Sequence, residues 1–159
     1  MVRIERTRDW LYVREVITHH KIWPHVSDGT GDRSTWQPEA SEVVYWLVPY
    51  ASKPLGVFMV HPHSAVCFEV HTALLPLAYG ELAAQAAKAL IAWVFENTSC
   101  RKLITAVPVY NRLARRFAIH AGMQEEGVNR KSFLRDNEMI DQVMLGITHE
   151  EFKCQLLPS

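Results

Sequence analysis

SAVCFEVHTALLPLAYGELAAQAAKALIAWVFEN, residues Ser64 to Asn97, is the stretch whose reading decides the fold. Ala65 to Leu75 is apolar apart from Glu69, His71 and Thr72, the composition of a strand covered on both faces. Pro76 closes it. From Gly80 to Phe95 the residues Leu82, Ala83, Ala86, Ala87, Leu90, Ile91 and Val94 recur at helical spacing, with Glu81, Gln85 and Lys88 between them, so a helix that packs back on the sheet is expected. The turn Leu77 to Gly80 then lies at the carboxyl end of a strand and the amino end of a helix. Free backbone N–H groups and the helix dipole favour an anion there, and a phosphate-bearing ligand would sit at this point.

Working outward, Val2 to Arg6 alternates as a half-exposed edge strand would, and Asp9 is an N-cap for a helix reaching about His20, with Trp10, Val13, Val16 and Ile17 inward. Trp23 to Pro38 carries glycine, serine, aspartate and proline and reads as a long loop, either a substrate rim or a surface loop anchored by its two tryptophans. Val43 to Val48 and Leu55 to Val60 are short apolar runs rich in branched and aromatic residues, as buried strands are. The links that follow them, Pro49 to Pro54 and His61 to Ser64, are too short for a crossover helix, so strands two, three and four form an antiparallel meander. Lys102 to Val107 is a fifth strand, reached through the long helix and therefore parallel to the fourth.

Asn111 to His120 is a second amphipathic helix, with Leu113, Ala114 and Phe117 inward, Arg112, Arg115 and Arg116 outward, and Gly122 as its stop. Glu126 to Leu134 and Ile140 to Ile147 are strands joined at Asp136-Asn137. Thr148-His149-Glu150-Glu151 is a capping box for a last short helix. The expected architecture is a mixed, mostly antiparallel α/β sheet of six to seven strands with helices on both faces, in one domain over residues 1–159.

Composition narrows the function classes. Lysine plus arginine equals aspartate plus glutamate at 17 each, so no long-range field recruits nucleic acid or anionic lipid. Three widely spaced cysteines, Cys67, Cys100 and Cys154, fit neither a disulfide framework nor a zinc knuckle. No run approaches a membrane span and no signal core opens the chain. A cytoplasmic protein with no nucleic-acid or membrane partner is the expectation.

Three places carry a family resemblance. Glu69-Val70-His71-Thr72-Ala73-Leu74-Leu75-Pro76 looks like the fourth strand of the GNAT N-acetyltransferase superfamily, along which the pantetheine arm of acetyl-CoA lies. Asn111-x-x-Ala114-x-x-Phe117 ahead of Gly122-Met123 resembles the family's asparagine, alanine, large apolar residue and closing Gly-Phe. Asp141-x-x-Met144-x-x-Ile147 ahead of Glu151-Phe152 is similar to its last strand and closing acidic-aromatic pair. The match spans roughly residues 42 to 152, and some small phage-encoded members look this way. It implies acetyl-CoA as co-substrate, a small-molecule or protein amine as acceptor, and room for a homodimer. Cofactor contacts would fall on Ala73, Leu74, Leu75, Tyr79, Gly80, Glu81, Leu82, Ala83, Asn111 and Arg116.

The departures are as specific. The family's diphosphate turn, Gln/Arg-x-x-Gly-x-Gly/Ala, falls on Ala78 to Ala83, and only Ala83 agrees. Glu81 replaces a glycine, and a carboxylate about 5 Å from a phosphate charge costs roughly 3 kcal/mol at an effective dielectric near 20; in a first helical turn an acidic residue also simply complements the dipole. The tyrosine that often protonates the departing thiolate falls on Ala118, leaving Tyr79 and Tyr110 as less well placed phenols. For the base, Cys67, Glu69, His71 and Ala73 share one strand face, and Glu69 and His71 are ionisable groups in an apolar strand. Each has a structural alternative, an ion pair for Glu69 and a satisfied core histidine for His71. His61 and His63 alternate about Pro62 in an expected hairpin turn, where no third metal ligand follows from spacing; no metal is expected. Two readings remain: an acetyl-CoA-dependent N-acetyltransferase with Glu69 or His71 as base, and a catalytically inactive fold of the same type used for binding or assembly.

Overall fold

Seven strands form one sheet in the order β1-β2-β3-β4-β5-β7-β6. The computed structural model describes residues 1–158 and runs β1 (Arg3–Arg6), α1 (Trp10–Ile17), α2 (Trp23–Val26), β2 (Tyr45–Tyr50), β3 (Gly56–Pro62), β4 (Cys67–Leu74), α3 (Glu81–Asn97), β5 (Lys102–Pro108), α4 (Arg112–His120), β6 (Gln124–Arg135), β7 (Glu138–Thr148) and α5 (His149–Gln155), with a 3-10 turn at Pro76–Ala78. Each neighbouring pair is antiparallel except β4 and β5, which are parallel. This is the expected mixed sheet, with seven strands and the parallel pair where the crossover helix requires it.

Alternation along β4 divides the core. Phe68, Val70 and Leu74 join Leu47, Phe58, Leu103 and Leu145 beneath Ala86, Leu90, Ile91 and Val94 of α3. Ala73 instead joins Val57 and Trp46 beneath Val13, Val16 and Ile17 of α1. Each fully buried leucine, valine or phenylalanine is worth roughly 1.5–3 kcal/mol, so α1 and α3 hold opposite faces of the same strands.

Local signals set the ends. The Asp9 carboxylate accepts from the Tyr12 amide at 3.0 Å, Gly122 stops α4 at φ 104°, and Thr148 and Glu151 complete the capping box of α5. Asp136 and Asn137, at φ 50° and 61°, supply the paired positive φ of a tight hairpin turn.

Four expectations change. The stretch Trp23 to Pro38 is not all loop: α2 opens it, and Trp23, Trp36 and Trp46 pack edge to face at 6.4 and 6.3 Å, so its tryptophans anchor it to the sheet. β2 begins two residues late because Val43 is exposed. Leu113 is 79% exposed, since the inward stripe of α4 runs through Ala114, Phe117, Ala118 and Ala121. His61 and Pro62 belong to β3, not to the turn. β2 pairing ends at Tyr45 with Val60, so Pro62 sits where β3 has no neighbour on that side and its missing N–H costs nothing.

Gly56 starts β3 at φ 136°, and a Cβ there would run into the Ala73 carbonyl oxygen and come within 2.8 Å of Leu74 Cα. Gly56→Ala is expected to cost about 2–4 kcal/mol from strain and overpacking, lowering Tm by about 5–15 °C for a chain of this size. Thermal unfolding followed by circular dichroism checks it; an unchanged Tm would mean that β3 and β4 do not approach this closely.

Candidate active site

The ladder between β4 and β5 is short. Cys67, Phe68 and Glu69 lie opposite Lys102, Leu103 and Ile104, and there the pairing stops although β4 continues to Leu74 and β5 to Pro108. Each strand keeps its other neighbour: β4 follows β3 as far as Leu74 opposite Gly56, and β5 follows β7 as far as Pro108 opposite Gln142. The two halves of the sheet therefore part beyond Glu69. At the fork the Thr105 hydroxyl donates to the Val70 carbonyl at 3.0 Å, a side chain standing in for the lost ladder. Because main-chain polar groups alternate in direction along a strand, those of Thr72 face the same opening.

The 3-10 turn leads from this fork to α3. The first bond of that helix runs from the Ala84 amide to the Gly80 carbonyl at 3.2 Å, so the amides of Glu81, Leu82 and Ala83 precede the helical ladder. Gly80, at φ 93°, caps the helix without a side chain. The Glu81 side chain is exposed and its carboxylate accepts from Gln85 Nε2 at 3.2 Å. It lies along the helix flank.

On the α1 face, the β3–β4 register gathers the ionisable groups. His61 lies opposite Glu69, and His71 follows two residues on. Glu69 Oε2 is 2.6 Å from His63 Nε2 and 3.6 Å from His61 Nε2; Glu69 Oε1 is 3.9 Å from His71 Nε2. His61 Nε2 and His71 Nε2 are 3.1 Å apart, which requires one ring to donate and the other to accept. The rings stack, His61 on His71 with centroids 5.3 Å apart at 11° and His61 on His63 at 5.3 Å and 25°. Glu69 is the least exposed, at 13% of its side chain, while His63 and His71 are near half. Packing around the His71 ring lowers its pKa below the ordinary imidazole value; Glu69 opposes this, and the neighbouring His61 and His63 reinforce it. Its neutral form keeps a lone pair at neutral pH.

The residues singled out in the sequence fall into three groups. Glu69 and His71 come together, joined by His61 and His63, which sequence spacing alone leaves in a turn. Gly80, Glu81, Leu82 and Ala83 form the amino end of α3, with Tyr79 64% exposed beside them. The side chains of Ala73 and Leu74 are in the core and Leu75 is half-buried against Ala73's cluster; the Leu75 amide donates back to the Leu55 carbonyl at 2.9 Å, so of the three only Leu74 turns its main chain toward the opening. Asn111 caps α4, its Oδ1 accepting from the Ala114 amide at 3.1 Å. Arg116 is exposed on that helix, whereas Arg115 is taken by the Glu125 carboxylate. Ala118 is buried, so no side chain reaches out from the place where a tyrosine is common. Tyr110, beyond the end of β5, has a buried hydroxyl with no hydrogen-bond partner among the described residues, and Arg135 lies 4.2 Å above its ring. Thr72 and Thr105 were not singled out; their role comes from where the strands part, which no local pattern records.

A family model described as a protein of unknown function, DUF2824, matches residues 12–157. No curated protein matches the chain. Among solved structures, a spermidine N-acetyltransferase from Vibrio cholerae, in complex with CoA and spermine, superposes with a TM-score of 0.78 at 14% identity, over 96% of this chain and 98% of that one. The aminoglycoside acetyltransferase AAC(6')-Ib, in complex with coenzyme A and kanamycin, gives 0.74 at 15% identity, over 97% and 98%. A probable GNAT-family acetyltransferase from Chromobacterium violaceum gives 0.76 at 17%, over 96% and 85%. The chain has the GNAT acetyltransferase fold.

The Asn111 cap can be tested apart from any ligand. Asn111→Ala removes the bond to the Ala114 amide and is expected to cost about 1 kcal/mol, while Asn111→Asp, which keeps the acceptor, restores most of it. Urea unfolding of the two variants measures this, and equal losses in both would show that the cap is not what holds the residue.

Proposed function

The chain belongs to the DUF2824 family, and we propose that it is an acetyl-CoA-dependent N-acetyltransferase acting on a small-molecule amine. One observation carries the reading: the parallel strands separate immediately after Glu69, so an opening with strand main chain along it, a cluster of proton acceptors at its mouth and helix amides at its end lies within one segment. In this reading the pantetheine arm follows the outward main chain of Thr72 and Leu74, and the diphosphate meets the amides of Glu81 to Ala83. Asn111 and Arg116 lie on the helix that faces the cofactor's other side. The neighbouring structures that hold CoA together with spermine or kanamycin support both the co-substrate and the acceptor class.

The chemistry is direct transfer. Glu69, or His71 beside it, takes a proton from the ammonium form of the acceptor. The freed amine attacks the thioester carbonyl, and the tetrahedral intermediate expels the CoA thiolate as the C–S bond breaks and an amide forms. The attacking nitrogen gives up its second proton to water as the amide forms, and because Ala118 offers no proton to the thiolate, water returns one to the sulfur.

A second reading keeps the fold as a binding or assembly module, of the kind a phage-encoded chain would use. Ala78 lacks a phosphate-binding side chain and is fully buried, and Glu81 carries the wrong charge for a diphosphate. These two residues favour it.

Thermal shift and calorimetry with CoA and acetyl-CoA separate the readings. Binding in the micromolar range raises Tm by mass action; no shift at millimolar CoA leaves only the second reading. Removing the nearby negative charge in Glu81→Gly is expected to tighten CoA about tenfold, the upper range for a solvent-screened carboxylate, and an unchanged affinity would show that Glu81 stays on the helix flank. Glu69→Gln is expected to lower kcat/KM for acetyl transfer by about 10² to 10⁴ with CoA affinity intact, measured by thiol release against a panel of polyamines and aminoglycosides.

A further inference from the structure

We propose that His61, Glu69 and His71 form a binding site for a divalent transition cation of the zinc type, with His63 holding the carboxylate in place behind them. The ligand atoms of these three side chains all lie within 4.8 Å of one another. Around a tetrahedral ion with bonds of about 2.0–2.1 Å, ligand atoms are about 3.3 Å apart. His61 Nε2 and His71 Nε2 are 3.1 Å apart, His61 Nε2 is 3.6 Å from Glu69 Oε2, and His71 Nε2 is 3.9 Å from Glu69 Oε1. With one carboxylate oxygen as the third ligand, all three atoms lie within 4.8 Å of one another, so a turn of the Glu69 carboxylate that carries its oxygen by at most about 1.5 Å completes that shell.

The donor set argues for the same class of ion. Two imidazole nitrogens and one carboxylate suit zinc, cobalt, nickel or iron, whereas magnesium and calcium prefer all-oxygen shells. Three protein ligands leave a fourth position open. His63 Nε2, at 2.6 Å from Glu69 Oε2, makes the kind of contact that fixes the orientation of a ligating carboxylate. The strand geometry supplies rigidity: His61 and Glu69 face each other across a continuous antiparallel ladder, with His71 on the same strand and face as Glu69. The site is also open to entry, since the His61 and His71 side chains are 29% and 47% exposed.

A hydrogen-bonded cluster without a metal would show the same resting contacts, but it would not bind an ion tightly. The inference does not rest on acetyl transfer. If the chain does transfer acetyl groups, an ion here takes up the lone pairs of Glu69 and His71 that accept the amine proton, so activity falls as the site fills; this consequence rests on the proposed function, and the binding does not.

The test is a titration of the full, untagged chain with Co²⁺ and with Zn²⁺, in the absence of CoA and amine, followed by visible absorption and calorimetry. The expected result is one equivalent bound with a dissociation constant of micromolar or lower, and visible cobalt bands of the greater intensity that a four- or five-coordinate ion shows over an octahedral one. His61→Asn and Glu69→Gln should each weaken binding at least 100-fold, and His63→Gln about 10- to 100-fold. Circular dichroism confirms that each variant is folded, and because Glu69→Gln preserves side-chain shape it stands in if His61→Asn is not. The double variant His19→Gln/His20→Gln, which removes the other stacked histidine pair, should bind as the parent does. Absence of the bands at 100 µM cobalt, about a hundred times the expected dissociation constant and so enough to fill the site, would overturn the proposal. So would equal affinity in the parent and His61→Asn.

Discussion

The parting of β4 from β5 is the constraint on which the rest depends. Two parallel strands that pair over Cys67–Glu69 and Lys102–Ile104 and then separate leave β4 main chain without a ladder partner on that side, a costly state unless another group answers it. Thr105 answers for Val70. What remains is an extended backbone edge inside a sheet, rimmed by the start of α3, and an extended ligand with its own amides complements it as an added strand would. The separation persists because each strand is held on its far side, β4 by seven register pairs with β3 and β5 by seven with β7. Neither strand can relax toward the other without breaking one of these ladders.

The same ladder that holds β4 also builds the histidine cluster. Side chains opposite one another on antiparallel strands are about 4.5–5.5 Å apart at Cβ, so the pairing of His61 with Glu69 brings an imidazole to the carboxylate with no help from loops. His63 and His71 then reach the same carboxylate from the flanking positions on that face. Four ionisable groups in so small a volume would repel if all were charged. The lowered pKa of His71 keeps at least that ring neutral, and a neutral ring serves equally as proton acceptor and as metal ligand.

Much of this was legible in the sequence. Periodicity at 3.6 residues in Gly80 to Phe95 and the length of the crossover fixed the parallel pair, and caps at Asp9 and Thr148 marked two helix starts. The candidate base, Glu69 with His71, was visible because charge inside an apolar strand is conspicuous. What failed did so for physical reasons. Proline in a strand reads as a break, so His61 was placed in a turn; β2 ends before Pro62 and leaves the position without a neighbour to disappoint. One residue of rotation on α4 exchanged Leu113 for Ala118 at the interior. The cluster itself depends on register, which is set by where the turn falls, and the turn at Ser64 is shaped by hydroxyl bonds to the amides of Val66 and Cys67 that composition does not announce.

The faces of β4 also constrain the direction from which an acceptor reaches the opening. Phe68, Val70 and Leu74 point to the α3 side and Glu69, His71 and Ala73 to the α1 side, so helix amides and proton acceptors lie on opposite sides of the sheet, with the fork between them. In the proposed reaction the thioester carbonyl lies in the fork, and an amine that must give its proton to Glu69 can enter only from the α1 side. Distant parts of the chain also meet at Tyr110, beyond the end of β5: His25 of α2 lies 6.4 Å from its ring, Arg135 lies above the same ring, and Gly29 is close to the Leu134 carbonyl. Burial lowers the pKa of His25 and Arg135 lowers it further, so a neutral imidazole lies beside a guanidinium there. In the proposed reaction the carboxylate that a cationic acceptor meets at the opening is Glu69. In that reading a side chain proposed to take the proton would also attract the amine that carries it.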